Sequence, residues 1–111
     1  EYSTTKYKLH KLLTWLQEHC FEEHNWPQLA EKFHLTTRTA FRHIKEATGL
    51  TPDNYLKRLR LVSARVKLRE TDMTITEVAY LCGFANSNHF TTLYKKVFGL
   101  TPSEDRRRLQ R

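Results

Sequence analysis

Glycine is scarce in this sequence: three occur among 111 residues, together with three prolines and two cysteines. With so little glycine, the chain has no glycine-rich loop of the kind that holds nucleotide phosphates. No apolar run approaches the ~18 residues that a membrane-spanning helix needs, and no charged-then-apolar signal peptide is present. No nucleophile–base arrangement and no carboxylate pair suggests catalysis. We therefore expect a protein that is neither an enzyme nor a membrane protein.

The two cysteines and six histidines do not form a metal-binding pattern. Cys20 and Cys82 lie in apolar helical patterns, which predicts reduced core thiols in a cytosolic protein, with a disulfide between them as the alternative. His19, Cys20 and His24 are close in sequence, but the ligand spacing of a structural zinc site is absent. Neither a metal nor a cofactor is expected.

Positive charge is concentrated in the later two-thirds of the chain. The formal net charge is +7, of which residues 1–35 carry −1 and residues 36–111 carry +8. This distribution is typical of a protein that binds a polyanion. Surface Lys and Arg also keep domains soluble, so charge alone leaves both interpretations open.

Hydrophobic periodicity predicts an all-α fold of about seven helices, because no run of alternating β-branched residues is long enough for a strand. The central helix, Thr51 to Glu70, has Pro52 at its first helical position and would be about 28 Å long. Its apolar residues cover too many faces for one neighbour, which predicts packing between two modules. The other helices are expected from Lys6 to Cys20, after Asn25, from Thr36 or Thr37 to Ala47, after Thr74, from Asn86 to Val97, and from Thr101.

An internal repeat predicts the domain organisation. The segment Gly49-Leu50-Thr51-Pro52 recurs fifty positions later as Gly99-Leu100-Thr101-Pro102, and cap and core positions match at the same displacement. Two helix-turn-helix units, Asn25–Gly49 and Thr74–Gly99, are therefore expected on either side of the central helix. The predicted division is a first subdomain over residues 1–50, a linker helix over 51–70 and a second subdomain over 71–111.

The second unit carries a long motif, ITEVAYLCGFANSNHFTTLYKKVFGLTP, which begins at Ile75. This motif resembles the signature of AraC/XylS-type transcription regulators, and the resemblance covers essentially the whole chain. Within the family, LTTRTAFR from Leu35 and SNHF from Ser87 look most like the rhamnose-operon activators. The resemblance implies the C-terminal DNA-binding domain of a transcription activator that places two recognition helices in successive major grooves of double-stranded DNA.

The resemblance also implies a cytoplasmic, nucleoid-associated bacterial protein. Because the chain opens with Glu1 rather than Met, we expect a piece of a longer protein. This piece is expected to be monomeric, and an upstream ligand-binding domain can make the full-length regulator dimeric. The competing interpretation is a basic helical adaptor that docks an acidic protein and has no sequence-specific DNA binding.

In the first recognition helix, Arg38 and Arg42 are predicted to point outward together, four residues apart. Arg can bind O6 and N7 of guanine with two hydrogen bonds, so both are candidate base contacts; the alternative is that they only contact phosphates. The inward-facing residues are predicted to be Ala40, Phe41, Ile44 and Ala47. Further base contacts are expected at Thr39 and His43, and backbone contacts at Thr37 and Lys45.

In the second recognition helix, Asn88 is the preferred base contact, because Asn can read N6 and N7 of adenine. The buried stripe is predicted to be Phe90, Leu93, Tyr94 and Val97. Further base contacts are expected at His89 and Thr92, and backbone contacts at Asn86, Ser87, Lys95 and Lys96. Asn86 can instead simply cap the helix. No Arg lies within this helix, so it is expected to discriminate less than the first.

Glu77 is predicted to be exposed early in its helix. The family resemblance implies an acidic contact to the sigma subunit of RNA polymerase at this position. The alternative is a capping-box acid without a protein partner, because Glu77 lies three residues after Thr74.

Overall fold

The computed structural model describes residues 4–109, and within that range the chain forms seven helices and no strand, as the sequence predicts. Residues 1–3, which include Glu1, and residues 110–111 lie outside the described residues. The helices are α1 (Thr4–Glu18), α2 (Trp26–Lys32), α3 (Thr37–Thr48), α4 (Pro52–Glu70), α5 (Ile75–Leu81), α6 (Ser87–Phe98) and α7 (Pro102–Leu109).

Six helices begin at a side chain that accepts a hydrogen bond from the backbone N–H three residues later, which satisfies one of the orphan donors of the first turn. These caps are Asn25, Thr36, Thr51, Thr74, Asn86 and Thr101. The predicted capping box is confirmed, because Glu77 Oε1 also accepts from the Thr74 backbone N–H at 2.9 Å. Thr36, and not Thr37, caps α3.

The helices α3 and α6 end alike. Gly49 and Gly99 adopt left-handed backbone conformations, with φ of 77° and 82°, which glycine enters without a Cβ penalty. Their N–H groups donate to Lys45 O and Lys95 O, each at 2.8 Å. The sequence repeat at Gly49 and Gly99 therefore corresponds to the same backbone geometry at the ends of α3 and α6.

The described residues as far as Leu59 form one compact unit. Its core is built from α1, α2, α3 and the start of α4 and contains Leu12, Leu16, Cys20, Leu29, Ala30, Ala40, Ile44 and Leu56. At its edge the Trp26 indole Nε1 donates to Asp53 Oδ1 at 2.9 Å, which links the start of α2 to the first turn of α4. The buried location predicted for Cys20 is confirmed.

The described residues from Arg60 onward form the second compact unit. Its core contains Leu61, Ala64, Leu68, Val78, Ala79, Cys82, Phe84, Phe90 and Tyr94. Asp105 of α7 is only 2% exposed and accepts hydrogen bonds from the Tyr94 hydroxyl at 2.5 Å and from Arg65 Nε at 3.2 Å. Arg106 Nε donates to Leu68 O at 3.1 Å. Through these contacts α7 is fastened to α6 and to the second half of α4.

Two expectations about apolar faces are wrong. Ala47 is exposed although it shares a helical face with Ala40 and Ile44. Phe41, also predicted to face inward, is 38% exposed, and its ring lies edge-on to Trp26 with 6.0 Å between the ring centroids.

Helix α4 supplies Leu56 to the first core and Leu61, Ala64 and Leu68 to the second, as its apolar faces predict, although Val62 and Val66 are 50% and 40% exposed. Periodicity gives the direction of a side chain, but a neighbour must be present for it to be buried.

Candidate nucleic-acid interface

Helix α3 presents a largely polar outer surface, on which Phe41 is 38% exposed, because its inner face is fixed by burial. Ala40 and Ile44 lie in the core of the first unit, and this sets the rotation of the helix about its axis. Arg38 and Arg42 are both exposed, one turn apart, near the capped end. This arrangement matches the outward pair predicted from the sequence.

Arg42 has a partner that sequence reasoning missed. Its Nε lies 3.6 Å from Glu46 Oε1, and both side chains are 62% exposed. The signal was available in the sequence, because an acid four residues after an Arg on a helix lies on the same face.

The remaining candidates on α3 differ in exposure. Lys45 is exposed, whereas Thr37, Thr39 and His43 are half-buried. The Thr39 hydroxyl oxygen accepts a hydrogen bond from the Thr36 hydroxyl at 2.8 Å, so Thr39 also takes part in the helix cap. Any contact that the Thr39 hydroxyl makes with a binding partner therefore involves the same group that takes part in the cap of α3.

Helix α6 repeats this design with different side chains. Phe90 and Tyr94 are fully buried, which fixes the rotation of the helix. The exposed candidates are Asn86, Asn88, His89, Thr92, Lys95 and Lys96, and Ser87 is half-buried. Asn86 Oδ1 accepts from the His89 backbone N–H at 2.8 Å, so the capping alternative is realised for this residue.

Helix α5 exposes an acid and two large apolar side chains. Two hydrogen bonds from Thr74 lower the pKa of Glu77; the larger effect comes from the backbone N–H and the smaller from the side chain. This carboxylate is therefore ionised at neutral pH. Tyr80 and Leu81 are 58% and 49% exposed. Sequence reasoning missed these two residues, which stand out as apolar positions beyond the buried Val78 and Ala79.

The described residues offer no site for a metal ion, since none of their His, Cys, Asp and Glu side chains gather in groups of three or more. Of the histidines near Cys20, His19 Nδ1 lies 2.7 Å from Glu22 Oε2, and His24 Nε2 lies 2.8 Å from His19 O. These histidines are engaged within their own loop. Among residues 4–109, no helix combines the length and the apolar character that crossing a membrane requires.

Comparison with known proteins identifies the family. Residues 29–108 match a family described as a helix-turn-helix domain. A crystal structure of a transcriptional regulator from Chromobacterium violaceum with an AraC-type DNA-binding domain has a TM-score of 0.88 and 28% sequence identity, covering 94% of this chain and 93% of that one. The chain belongs to the AraC/XylS family of helix-turn-helix proteins.

Two further relatives characterise this AraC/XylS-type domain. The HTH-type transcriptional activator RhaS of Salmonella schwarzengrund is 50% identical over 99 residues, which are 89% of this chain and 36% of the relative. This chain therefore spans little more than a third of the length of that relative. The DNA-binding domain of the global transcriptional factor AdpA, in complex with a target DNA, has a TM-score of 0.82 and 27% identity, covering 91% of each chain. The family is one of DNA-binding transcription regulators, as the sequence predicts.

Proposed function

We propose that this domain binds double-stranded DNA sequence-specifically and serves in a regulator that activates transcription. The main support is the exposed pair Arg38 and Arg42 on a helix whose inner face is buried and whose N-terminus is capped. A recognition helix lies in the major groove with residues near its N-terminus against the base edges, and Arg38 and Arg42 lie in the first half of α3. The relatives support the same role, since one is named an activator and another was crystallised with its target DNA.

On α3, Arg38 and Arg42 read guanine through O6 and N7. Thr39 and His43 make further base contacts beside them. Thr37 and Lys45 contact the phosphate backbone and so set the position of the helix without reading sequence.

On α6, Asn88 reads adenine, with His89 and Thr92 beside it. The backbone contacts are proposed at Asn86, Ser87, Lys95 and Lys96. Because α6 lacks Arg, it contributes less discrimination than α3.

The two recognition helices are proposed to enter successive major grooves. Helix α4 contains 19 residues and is therefore about 28 Å long, close to the ~34 Å repeat of the major groove. Since α3 and α6 differ in sequence, the preferred DNA site is asymmetric.

Binding-site selection from random duplexes tests this function. Wild-type protein should enrich one asymmetric sequence, and Arg38→Ala should lose preference at one base pair, at a cost of about 1–3 kcal/mol. Arg108→Ala, which removes an exposed Arg from α7, is the matched control and should enrich the unchanged sequence. Equal loss of affinity for all duplexes in Arg38→Ala would make Arg38 a phosphate contact, and no enrichment by the wild type would contradict the proposed function.

We further propose that Glu77 contacts the sigma subunit of RNA polymerase. Its carboxylate is exposed, and the exposed Tyr80 and Leu81 on the same helix supply apolar surface for a protein partner. Glu77→Gln keeps an oxygen for the capping box and removes the charge. We expect it to bind DNA normally and to lose activation in transcription assays.

Glu104 provides the control for that experiment, because its Oε1 accepts from the Thr101 backbone N–H at 2.9 Å in an equivalent capping box. Glu104→Gln should retain activation. If Glu77→Gln activates as well as Glu104→Gln, Glu77 is a capping acid only.

The role proposed here is binding, with no catalysis and no cofactor. A regulator of this kind acts in the bacterial cytoplasm, associated with the nucleoid. This domain is proposed to be monomeric, and the longer regulator to dimerise through an upstream domain.

A further inference from the structure

A single acid interrupts the basic outer face of α3. Glu46 is the only acidic residue in the helix, one turn beyond Arg42 and two turns beyond Arg38. The distance from Arg42 Nε to Glu46 Oε1 is 3.6 Å. The proposed DNA-reading face is therefore a row of Arg, Arg and Glu.

Neither stability nor affinity accounts for an acid at this place. Both side chains are 62% exposed, and exposed ion pairs of this kind add little to folding stability. A carboxylate on a surface that meets a polyanion opposes binding through like-charge repulsion. The choice among DNA sequences is a property that an acid beside a base-reading Arg can affect.

We propose that Glu46 is a specificity-determining residue that restricts Arg42 to contacts with base edges. This inference depends on the DNA-binding function proposed above. An Arg side chain is long enough to satisfy its charge on a nearby phosphate whatever the sequence. The negative charge of Glu46 repels a phosphate that approaches Arg42, which makes such a contact less favourable.

The guanidinium has enough donors for both partners. Arg carries five N–H donors in a fixed planar fork. Since Nε is the nitrogen that lies 3.6 Å from Glu46 Oε1, the terminal nitrogens remain for O6 and N7 of guanine. Glu46 therefore leaves the cognate contact intact and penalises the non-cognate one.

The test is a double-mutant cycle on DNA binding with wild type, Glu46→Gln, Arg42→Ala and the double variant. Each is titrated with the duplex obtained by site selection and with a duplex changed at the base pair that Arg42 reads, over a range of salt concentrations. Glu46→Gln should bind the changed duplex more tightly, with a salt slope steeper by about one because Arg42 now engages a phosphate. Its preference for the selected duplex should fall about fivefold, the lower end of what one bidentate base contact provides.

In the Arg42→Ala background, Glu46→Gln should not change the ratio of the two affinities or the difference between their salt slopes. Glu31→Gln, which removes an exposed acid from α2, is the matched charge control and should affect both duplexes equally. If Glu46→Gln behaves like Glu31→Gln, or if its effect on preference persists without Arg42, the inference is wrong. A wild type without preference for any duplex would instead contradict the proposed function itself.

Discussion

At the residue scale, Asp105 is the clearest case of a buried charge whose partners organise its surroundings. It is the one charged side chain in the buried core of the described residues, and Tyr94 and Arg65 both donate to its Oδ2. A buried carboxylate is costly unless it is paired and hydrogen-bonded. The position of α6, which carries Tyr94, is thereby coupled to α7.

Removing the Tyr94 hydroxyl should destabilise the second unit. Tyr94→Phe keeps the ring in the core and deprives Asp105 of one donor, so we expect the free energy of unfolding to fall by about 1.5–3 kcal/mol, as for a hydrogen bond to a charged group. Urea denaturation followed by circular dichroism measures this change. Tyr80→Phe, the same substitution at an exposed site, should change stability by less than about 0.5 kcal/mol.

The same hydroxyl should make stability depend on alkaline pH. Burial raises the pKa of Tyr94, and the hydrogen bond to Asp105 raises it further. In the unfolded chain a tyrosine loses its proton near pH 10, whereas the folded protein retains it, so stability is fully present below about pH 10 and falls as the pH rises above it. The fall in urea midpoint between pH 9 and 11 should be larger for wild type than for Tyr94→Phe; identical falls would contradict the assignment.

The sequence predicts much of the outer face of α3 but less of its electrostatics. Ala40 and Ile44 are buried as helical spacing requires, so Arg38 and Arg42 had to lie outside. The pairing of Glu46 with Arg42 depends on side-chain rotamers, and periodicity does not report them. The burial of Asp105 was also missed, because its donors come from positions 65 and 94, which only the fold brings together.

At the element scale, the caps were predictable and the coverage of each helix was not. Side-chain caps depend on residues within one turn, so Asn25, Thr74 and Asn86 could be assigned from the sequence alone. Coverage depends on distant neighbours. Val62 and Val66 on α4 are apolar yet exposed, which no local pattern distinguishes from core positions.

Because Gly49 and Gly99 end α3 and α6 in the same conformation, we expect the same loss of stability when either is substituted. A Cβ added at Gly49 or Gly99 would meet nothing within 4 Å, so substitution costs only the left-handed backbone strain. Gly49→Ala and Gly99→Ala should each lower the free energy of unfolding by about 1–2 kcal/mol. Urea denaturation of both variants checks this, and Asn substitutions should cost less, because Asn enters this conformation more readily. A negligible cost at either site would mean that the helix ends differently in solution.

At the scale of the whole molecule, the charge distribution decides how binding responds to salt. The later two-thirds of the chain carry +8, and the proposed backbone contacts include Lys45, Lys95 and Lys96. Neutralising about four to six phosphates gives a slope of log affinity against log salt of roughly −4 to −5. Fluorescence anisotropy with a labelled duplex between 50 and 200 mM salt measures it. Absence of binding to any duplex at 50 mM salt would favour the acidic-protein adaptor.

Each of the two units also carries one thiol within its own core, Cys20 in the first and Cys82 in the second. A thiol sealed in a core reacts with a labelling reagent only when the surrounding structure opens. The rates of modification of these two positions, separated by peptide mass spectrometry, therefore report the opening of each half of the molecule independently. Comparing the two rates with and without DNA would therefore show which of the two units DNA binding stabilises more against opening.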